Sequence, residues 1–148
     1  PQNEDMLHAR LCVVFPALAG CSSSGTASPP DASTFPAEAL SSVSTDSGKL
    51  RIDIRTGPQQ PPTRGNQSVE LVVVNATTGA PEPGLMLSVV PWMPVMGHGT
   101  SLTPSVTETS PGTYVITNVG FFMPGTWELR TSIAGSTSDH TAPSFEIP

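Results

Sequence analysis

Short apolar segments alternate with turn-forming residues along the chain after residue 48. Segments rich in Val, Ile, Thr and aromatic residues, and bounded by Gly, Pro, Asn or Ser, are typical of β-strands. Dipeptides such as Pro83-Gly84, Pro111-Gly112 and Pro124-Gly125 mark turns between them. The pattern therefore predicts seven strands, at residues 49–56, 67–75, 85–92, 105–109, 113–119, 126–133 and 144–147.

Alternation of apolar and polar side chains is clearest in the sixth predicted strand. Trp127, Leu129 and Ile133 share one face, whereas Glu128 and Arg130 lie on the other. Because successive side chains of a strand point to opposite faces, this strand is expected to cover a core with one face and meet solvent with the other.

The second predicted strand is apolar on both faces. Val69, Leu71 and Val73 share one face, and Val72 and Val74 share the other, which indicates a more central place in its sheet. Seven short strands in about one hundred residues are typical of an immunoglobulin-like sandwich. We therefore predict a single all-β, immunoglobulin-like β-sandwich over residues 48–148, without the Cys–Trp–Cys framework of antibody domains.

Composition and charge agree with an all-β fold and exclude several function classes. The 17 prolines and 13 glycines would interrupt helices repeatedly. With six Lys and Arg residues and a net charge of −6, the chain has no basic stripe for binding nucleic acid. No G-x-S-x-G, H-E-x-x-H or phosphate-loop motif occurs, so we expect neither an enzyme nor a small-molecule substrate. His140 lies in a polar segment and is expected to be solvated.

The first 21 residues have the features of a bacterial export signal. Met6 and Arg10 precede an apolar run over residues 11–19 that is too short to span a membrane. Residues 18–21, Leu-Ala-Gly-Cys, match the lipobox of bacterial lipoproteins. This resemblance implies removal of residues 1–20, lipidation of Cys21 and anchoring to the membrane, with the domain facing the periplasm or cell exterior. The alternative is a buried apolar strand in which Cys21 is incidental.

Residues 21–47 are predicted to join this anchor to the domain as a flexible linker. Residues 22–32 are rich in Ser, Pro and Gly and show no sustained periodicity. Cys12 lies in the segment that would be removed, and Cys21 would be consumed by lipid. The mature chain is then expected to have no disulfide, and any soft-metal site must use thioethers and imidazole.

A segment containing two methionines and a histidine stands apart as candidate chemistry. Met93, Met96 and His98 fall within six residues. Thioethers are soft ligands that select Cu(I), and imidazole accepts copper in either oxidation state. The three would form a neutral site suited to a monovalent soft cation.

Neighbouring residues predict how this loop is shaped. Pro94 should hold it extended, while Gly97 and Gly99 allow turns that bring His98 toward the sulfurs. Trp92 could add a cation–π contact, and Met123, in a turn before a strand, could supply another sulfur. The structural alternative is that the methionines fill gaps in the sandwich and that the histidine only hydrogen-bonds a carbonyl.

The same residues resemble the YtkA-like family, which is related to FixH-type domains. The resemblance covers residues 49–147 and rests on the sequence Met-Pro-Val-Met-Gly-His of residues 93–98, on Gly112-Thr113-Tyr114 and on the Met-Pro-Gly-Thr-Trp-Glu of residues 123–128. It implies an exported immunoglobulin-like sandwich that is often associated with copper handling or oxidase maturation. Met93, Met96 and His98 match the family's loop, and Met123 its later methionine.

Two functions follow as hypotheses. The first is a copper-binding envelope lipoprotein, with Met93, Met96, His98 and Met123 as ligands and a copper-donor or copper-acceptor protein as partner. The second is a metal-free immunoglobulin-like interaction module of a bacterial surface or transport assembly. In the second case Met93 and Met96 would point into the core, away from His98.

Overall fold

The computed structural model describes residues 35–148; the predicted signal segment and Cys21 lie outside this range. The described residues form ten strands and no α-helix: β1 Ser41–Ser44, β2 Leu50–Gly57, β3 Gly65–Asn75, β4 Met86–Met93, β5 His98–Gly99, β6 Ser105–Ser110, β7 Thr113–Phe121, β8 Gly125–Ala134, β9 Asp139–Thr141 and β10 Ser144–Ile147. Residues 35–148 accordingly contain no helix with the length and hydropathy needed to cross a bilayer.

The strands form two antiparallel sheets. The first has the order β1-β2-β3-β7-β6, and the second has the order β10-β8-β4-β5, with β9 also pairing with β8. Sheets of this kind pack face to face, with inward side chains alternating with outward ones. The predicted all-β sandwich is confirmed.

All seven predicted strands are present, with bounds that differ by at most two residues. Three short strands were missed: β1, β5 and β9. Strand β1 pairs with β2 and falls inside the segment predicted as linker, so the domain begins before residue 48. Its sequence, Ser-Ser-Val-Ser, is mostly polar because it lies at the edge of the first sheet.

The core lies between the sheets and confirms the predicted faces of two strands. Trp127, Leu129 and Ile133 are buried on β8. Strand β3 is the middle strand of its sheet, as its apolar pattern predicted. Its inward side chains are fully buried and its outward valines are half-buried.

Tyr114 joins the first sheet to the start of β4. Its hydroxyl accepts a hydrogen bond from the Leu85 N–H (2.9 Å) and donates one to the Glu82 carbonyl (2.9 Å). Burial raises the pKa of Tyr114 above its ordinary value, so the group stays neutral and keeps its proton for Glu82. The contact fixes where β4 begins.

Candidate metal centre

The candidate ligands lie around the tight connection between β4 and β5. Residues 94–97 form a four-residue loop, and the Met93 carbonyl accepts hydrogen bonds from the N–H groups of Met96 (3.2 Å) and Gly97 (2.9 Å). Gly97 has φ of 67°, in the left-handed region that glycine adopts without strain. The predicted turn at Gly97 is therefore present, and it sends the chain back along β4.

Gly99 contributes in a different way from the one predicted. A Cβ at this position would lie 2.7 Å from the Pro91 carbonyl oxygen, so any side chain would push β5 away from β4. The same Cβ would lie 3.6 Å from Cε3 of Trp92, which is its partner across the strands. Gly99 is thus needed for close pairing, and the turn itself is made by Gly97.

The strand pairing places His98 directly opposite Met93. Residues opposite each other in an antiparallel pair have side chains on the same face, with Cβ atoms about 4.5–5.5 Å apart. Met93 is 5% exposed and belongs to the core, whereas His98 is exposed. The pair therefore lies at the rim of the sandwich, where the Met93 thioether is packed in the core and the His98 imidazole is open to solvent.

The orientation of the His98 ring is set by the backbone. Its Nδ1 lies 2.9 Å from the Gly99 carbonyl oxygen. A carbonyl can only accept, so Nδ1 carries the proton in this contact and Nε2 of the neutral ring keeps its lone pair. The same arrangement is common for metal-ligating histidines, whose second nitrogen is bound to a carbonyl.

Met96 lies at the tip of the loop and is 56% exposed. Its neighbour Val95 is 84% exposed. The two predicted sulfur ligands of this loop therefore differ: Met93 packs in the core and Met96 faces solvent. If the loop were purely structural, both Met93 and Met96 would point into the core, but only Met93 does so.

Met123 precedes β8 at the same end of the sandwich and packs against the core. Its carbonyl accepts a hydrogen bond from Nε1 of Trp127 (2.9 Å), which fixes its backbone. A Cβ at Gly125 would lie 2.8 Å from Cε of Met93, so the end of the Met93 side chain reaches the start of β8. The fold thus brings Met93 to the segment that contains Met123.

Trp92 does not face the candidate ligands. It neighbours Met93 in β4, so its side chain is on the opposite, outer face of the sheet. The guanidinium carbon of Arg130 lies 4.6 Å from the centre of its ring, and Arg130 also pairs with Glu128 (2.9 Å). The predicted cation–π contact between Trp92 and a bound metal is therefore wrong, because the ring faces away from the candidate ligands and contacts Arg130 instead.

Sequence reasoning missed the roles of three residues that shape this end of the domain. Gly125 leaves room for the methyl group of Met93, and Phe122 is half-exposed with its ring folded over Gly120. A Cβ at Gly120 would lie 2.6 Å from that ring and 2.7 Å from the Thr100 hydroxyl. Neither glycine shows its purpose in the sequence, because both depend on neighbours distant along the chain.

The donor set fits a soft metal better than a hard one. Within residues 35–148, no three His, Cys, Asp or Glu side chains come together as a metal cluster. The two cysteines of the chain are Cys12 and Cys21, so this range has no thiolate, and residues 93–104 carry no charged side chain. Thioethers with one imidazole form a neutral donor set, which suits Cu(I) and not Zn²⁺, Mg²⁺ or Ca²⁺.

Comparison with known proteins identifies both sequence and fold relatives. The family described as YtkA-like matches residues 45–132. The fold is similar to that of a DUF4426 family protein from Pseudomonas aeruginosa PAO1, with 12% identity, a TM-score of 0.50, and coverage of 68% of this chain and 91% of that one. It is also similar to a copper-bound variant of FetP from uropathogenic Escherichia coli strain F11, with 10% identity, a TM-score of 0.47, and coverage of 72% and 93%. No curated protein matches the sequence.

Proposed function

This chain belongs to the YtkA-like family, and from that premise we propose that it is an envelope protein that binds Cu(I) at the rim formed by β4, β5 and the start of β8. The observation that carries the proposal is the pairing of His98 opposite Met93, with Nδ1 of the imidazole held by the Gly99 carbonyl. This leaves Nε2 as the nitrogen available to a metal.

Each candidate ligand has a distinct part in the proposed site. His98 supplies an oriented nitrogen, and Met93 a sulfur on the same face of the strand pair. Met96 supplies a solvent-facing sulfur on a short loop, which suits exchange of the metal with a donor or acceptor protein. Met123 is an additional donor on the neighbouring segment. Residues 93–104 carry no charged side chain, and Cu(I) bound by thioethers and imidazole would not require one.

A titration of the chain with Cu(I) against a chromogenic Cu(I) chelator tests the proposal. We expect one site per chain, weakened about tenfold or more in Met96→Leu and in His98→Ala, since each removes one of few donors. Met86→Leu and His140→Ala are matched controls, because both side chains are exposed and lie away from the loop. They are expected to retain wild-type affinity.

A metal-free interaction module is the second candidate, and a specific observation favours it. Met93 packs in the core, and the exposed apolar side chains Val95, Met96 and Phe122 lie at the same end of the sandwich, as a surface for a protein partner would. Equal Cu(I) affinity in the wild type and in both ligand variants would reject the copper site and leave this function.

We further propose that Cys21 anchors the domain to the membrane through lipid, as the match of residues 18–21 to the lipobox implies. Growth of bacteria expressing the chain with an alkyne fatty acid is expected to label the wild type. Cys21→Ser should lose the label completely, whereas Cys12→Ser should keep it because that residue precedes the cleavage site. Label that persists in Cys21→Ser would contradict the assignment.

A further inference from the structure

The edge of β4 is open over most of its length. Strand β4 pairs with β8 from Met86 to Trp92, but on its other side β5 pairs only with Trp92 and Met93. A cleft of about 550 Å³ separates the remaining edge from residues 100–106, and none of the residues that line it is charged. Natural proteins usually protect such edges with charges, bulges or a covering segment.

The backbone groups that face this edge follow from the pairing with β8. The Leu129 N–H donates to the Pro143 carbonyl (2.9 Å), so at this position β8 faces away from β4. Pro91 lies opposite Leu129, so its backbone likewise faces the side of β4 away from β8, where its missing N–H is tolerated and its carbonyl oxygen is beside Gly99 of β5. Because the direction alternates, Leu87 and Val89 also present their N–H and C=O groups there.

The outer face of the same strand is apolar and exposed. Met86 is 70% exposed and Val90 is 46% exposed, and they are separated by Ser88 on the same face. Both are therefore placed beside any strand that adds to this edge. A strand that adds to this edge must be uncharged and must place apolar side chains against Met86 and Val90.

Strand β4 of a second copy meets this requirement, and we infer that the chain forms a dimer in which two β4 strands pair antiparallel about a twofold axis at Ser88. In that register Leu87 lies opposite Val89 of the other copy, and the two symmetric pairs exchange four backbone hydrogen bonds. Met86 lies opposite Val90 of the other copy, so each exposed apolar side chain is covered by the other.

The ends of the paired segment agree with the fold. The next possible donor beyond Met86 is the Leu85 N–H, but it is already bonded to the Tyr114 hydroxyl. At the other end, the partner strand would reach only as far as Val90. Trp92 and Met93 lie beyond it, and their edge is occupied by β5. The dimer therefore does not displace β5, and it is independent of the proposed copper site.

Disulfide cross-linking tests the register directly in the full chain carrying Cys12→Ser and Cys21→Ser. Ser88→Cys places two cysteines opposite each other at the twofold axis, about 4.5 Å apart at Cα, within reach of a disulfide. We expect oxidation to convert most of this variant to a covalent dimer. Ser132→Cys is the matched control, because Ser132 is exposed and pairs with Ser88 on β8, away from the open edge. Ser132→Cys should still associate but should form no covalent dimer on oxidation.

Sedimentation provides the second measurement. Val90→Lys places a charge against Met86 of the other copy and is expected to weaken the dimer about tenfold or more. Val95→Lys, at an exposed loop residue outside the interface, should leave it unchanged. A chain that stays monomeric at all concentrations would overturn the inference. Binding of another protein's strand to this edge, without a dimer of the chain, would also overturn it. So would a dimer that keeps its affinity in Val90→Lys or cross-links equally in both cysteine variants.

Discussion

Replacing Trp127 by alanine is expected to lower the free energy of unfolding by about 3–5 kcal/mol, a large part of the roughly 5–15 kcal/mol that stabilises a typical domain. Trp127 is 1% exposed and one of the largest fully buried side chains of residues 35–148. Its ring meets that of Phe121 edge to face, with centroids 5.5 Å apart and an interplanar angle of 69°. Because Phe121 is in the first sheet and Trp127 in the second, the alanine would open a cavity between the sheets.

Trp127→Phe separates the packing of this residue from its hydrogen bond. The phenyl ring keeps most of the contact with Phe121 but loses the indole N–H that binds the Met123 carbonyl. We expect a smaller cost of about 1–3 kcal/mol. Urea unfolding followed by circular dichroism measures both variants, and equal m-values would show that the changes are in stability. A cost below about 1 kcal/mol for Trp127→Ala would contradict the assigned packing.

Replacing Asp139 by asparagine is expected to cost about 2–3 kcal/mol at neutral pH. This carboxylate is buried on β9 and accepts hydrogen bonds from the backbone of Ser47 (3.1 Å) and His140 (2.9 Å) and from the Ser47 hydroxyl. It thereby ties the turn between β1 and β2 to the second sheet. An asparagine amide would turn a donor toward these donors and leave buried groups unpaired. A cost below about 0.5 kcal/mol would contradict this arrangement.

The loss of stability in Asp139→Asn is expected to depend on pH. Burial alone would raise the pKa of Asp139, but hydrogen bonds from Ser47, Thr45 and His140 outweigh it and hold the pKa well below its ordinary value. The stabilisation is therefore fully present above about pH 4, which is the ordinary pKa of an aspartate in an unfolded chain. It is lost as the pH falls through the lower pKa that Asp139 has in the folded chain. The difference between the wild type and Asp139→Asn should narrow below pH 4.

Asp46→Asn is the matched control for this experiment. Asp46 lies in the same turn but is exposed, and its carboxylate lies 3.4 Å from Nε2 of the exposed His140. Exposed pairs contribute about 0–1 kcal/mol. A loss of stability in this variant as large as that in Asp139→Asn would indicate that the turn itself, and not the buried carboxylate, accounts for the effect.

The strands with an apolar core face could be predicted from the sequence. In β3 and β8 the alternation is sustained over many residues, because burying one face requires it. Strands β1, β5 and β9 could not be found in this way, because none has more than one apolar side chain, whereas the equally short β10 alternates with Phe145 and Ile147 buried. His98 and Gly99 form a strand only because the turn at Gly97 returns the chain to Trp92 and Met93.

For the candidate metal centre, the sequence by itself determined the donors: two methionines and one histidine in a short uncharged loop, with a further methionine before β8. Only the tertiary structure decided that Met93 is buried, that Met96 is exposed, and that the His98 ring is oriented by the Gly99 carbonyl. The physical reason is that residue type sets what an atom can bind. Strand register and contacts between distant segments set which atoms meet and which face solvent.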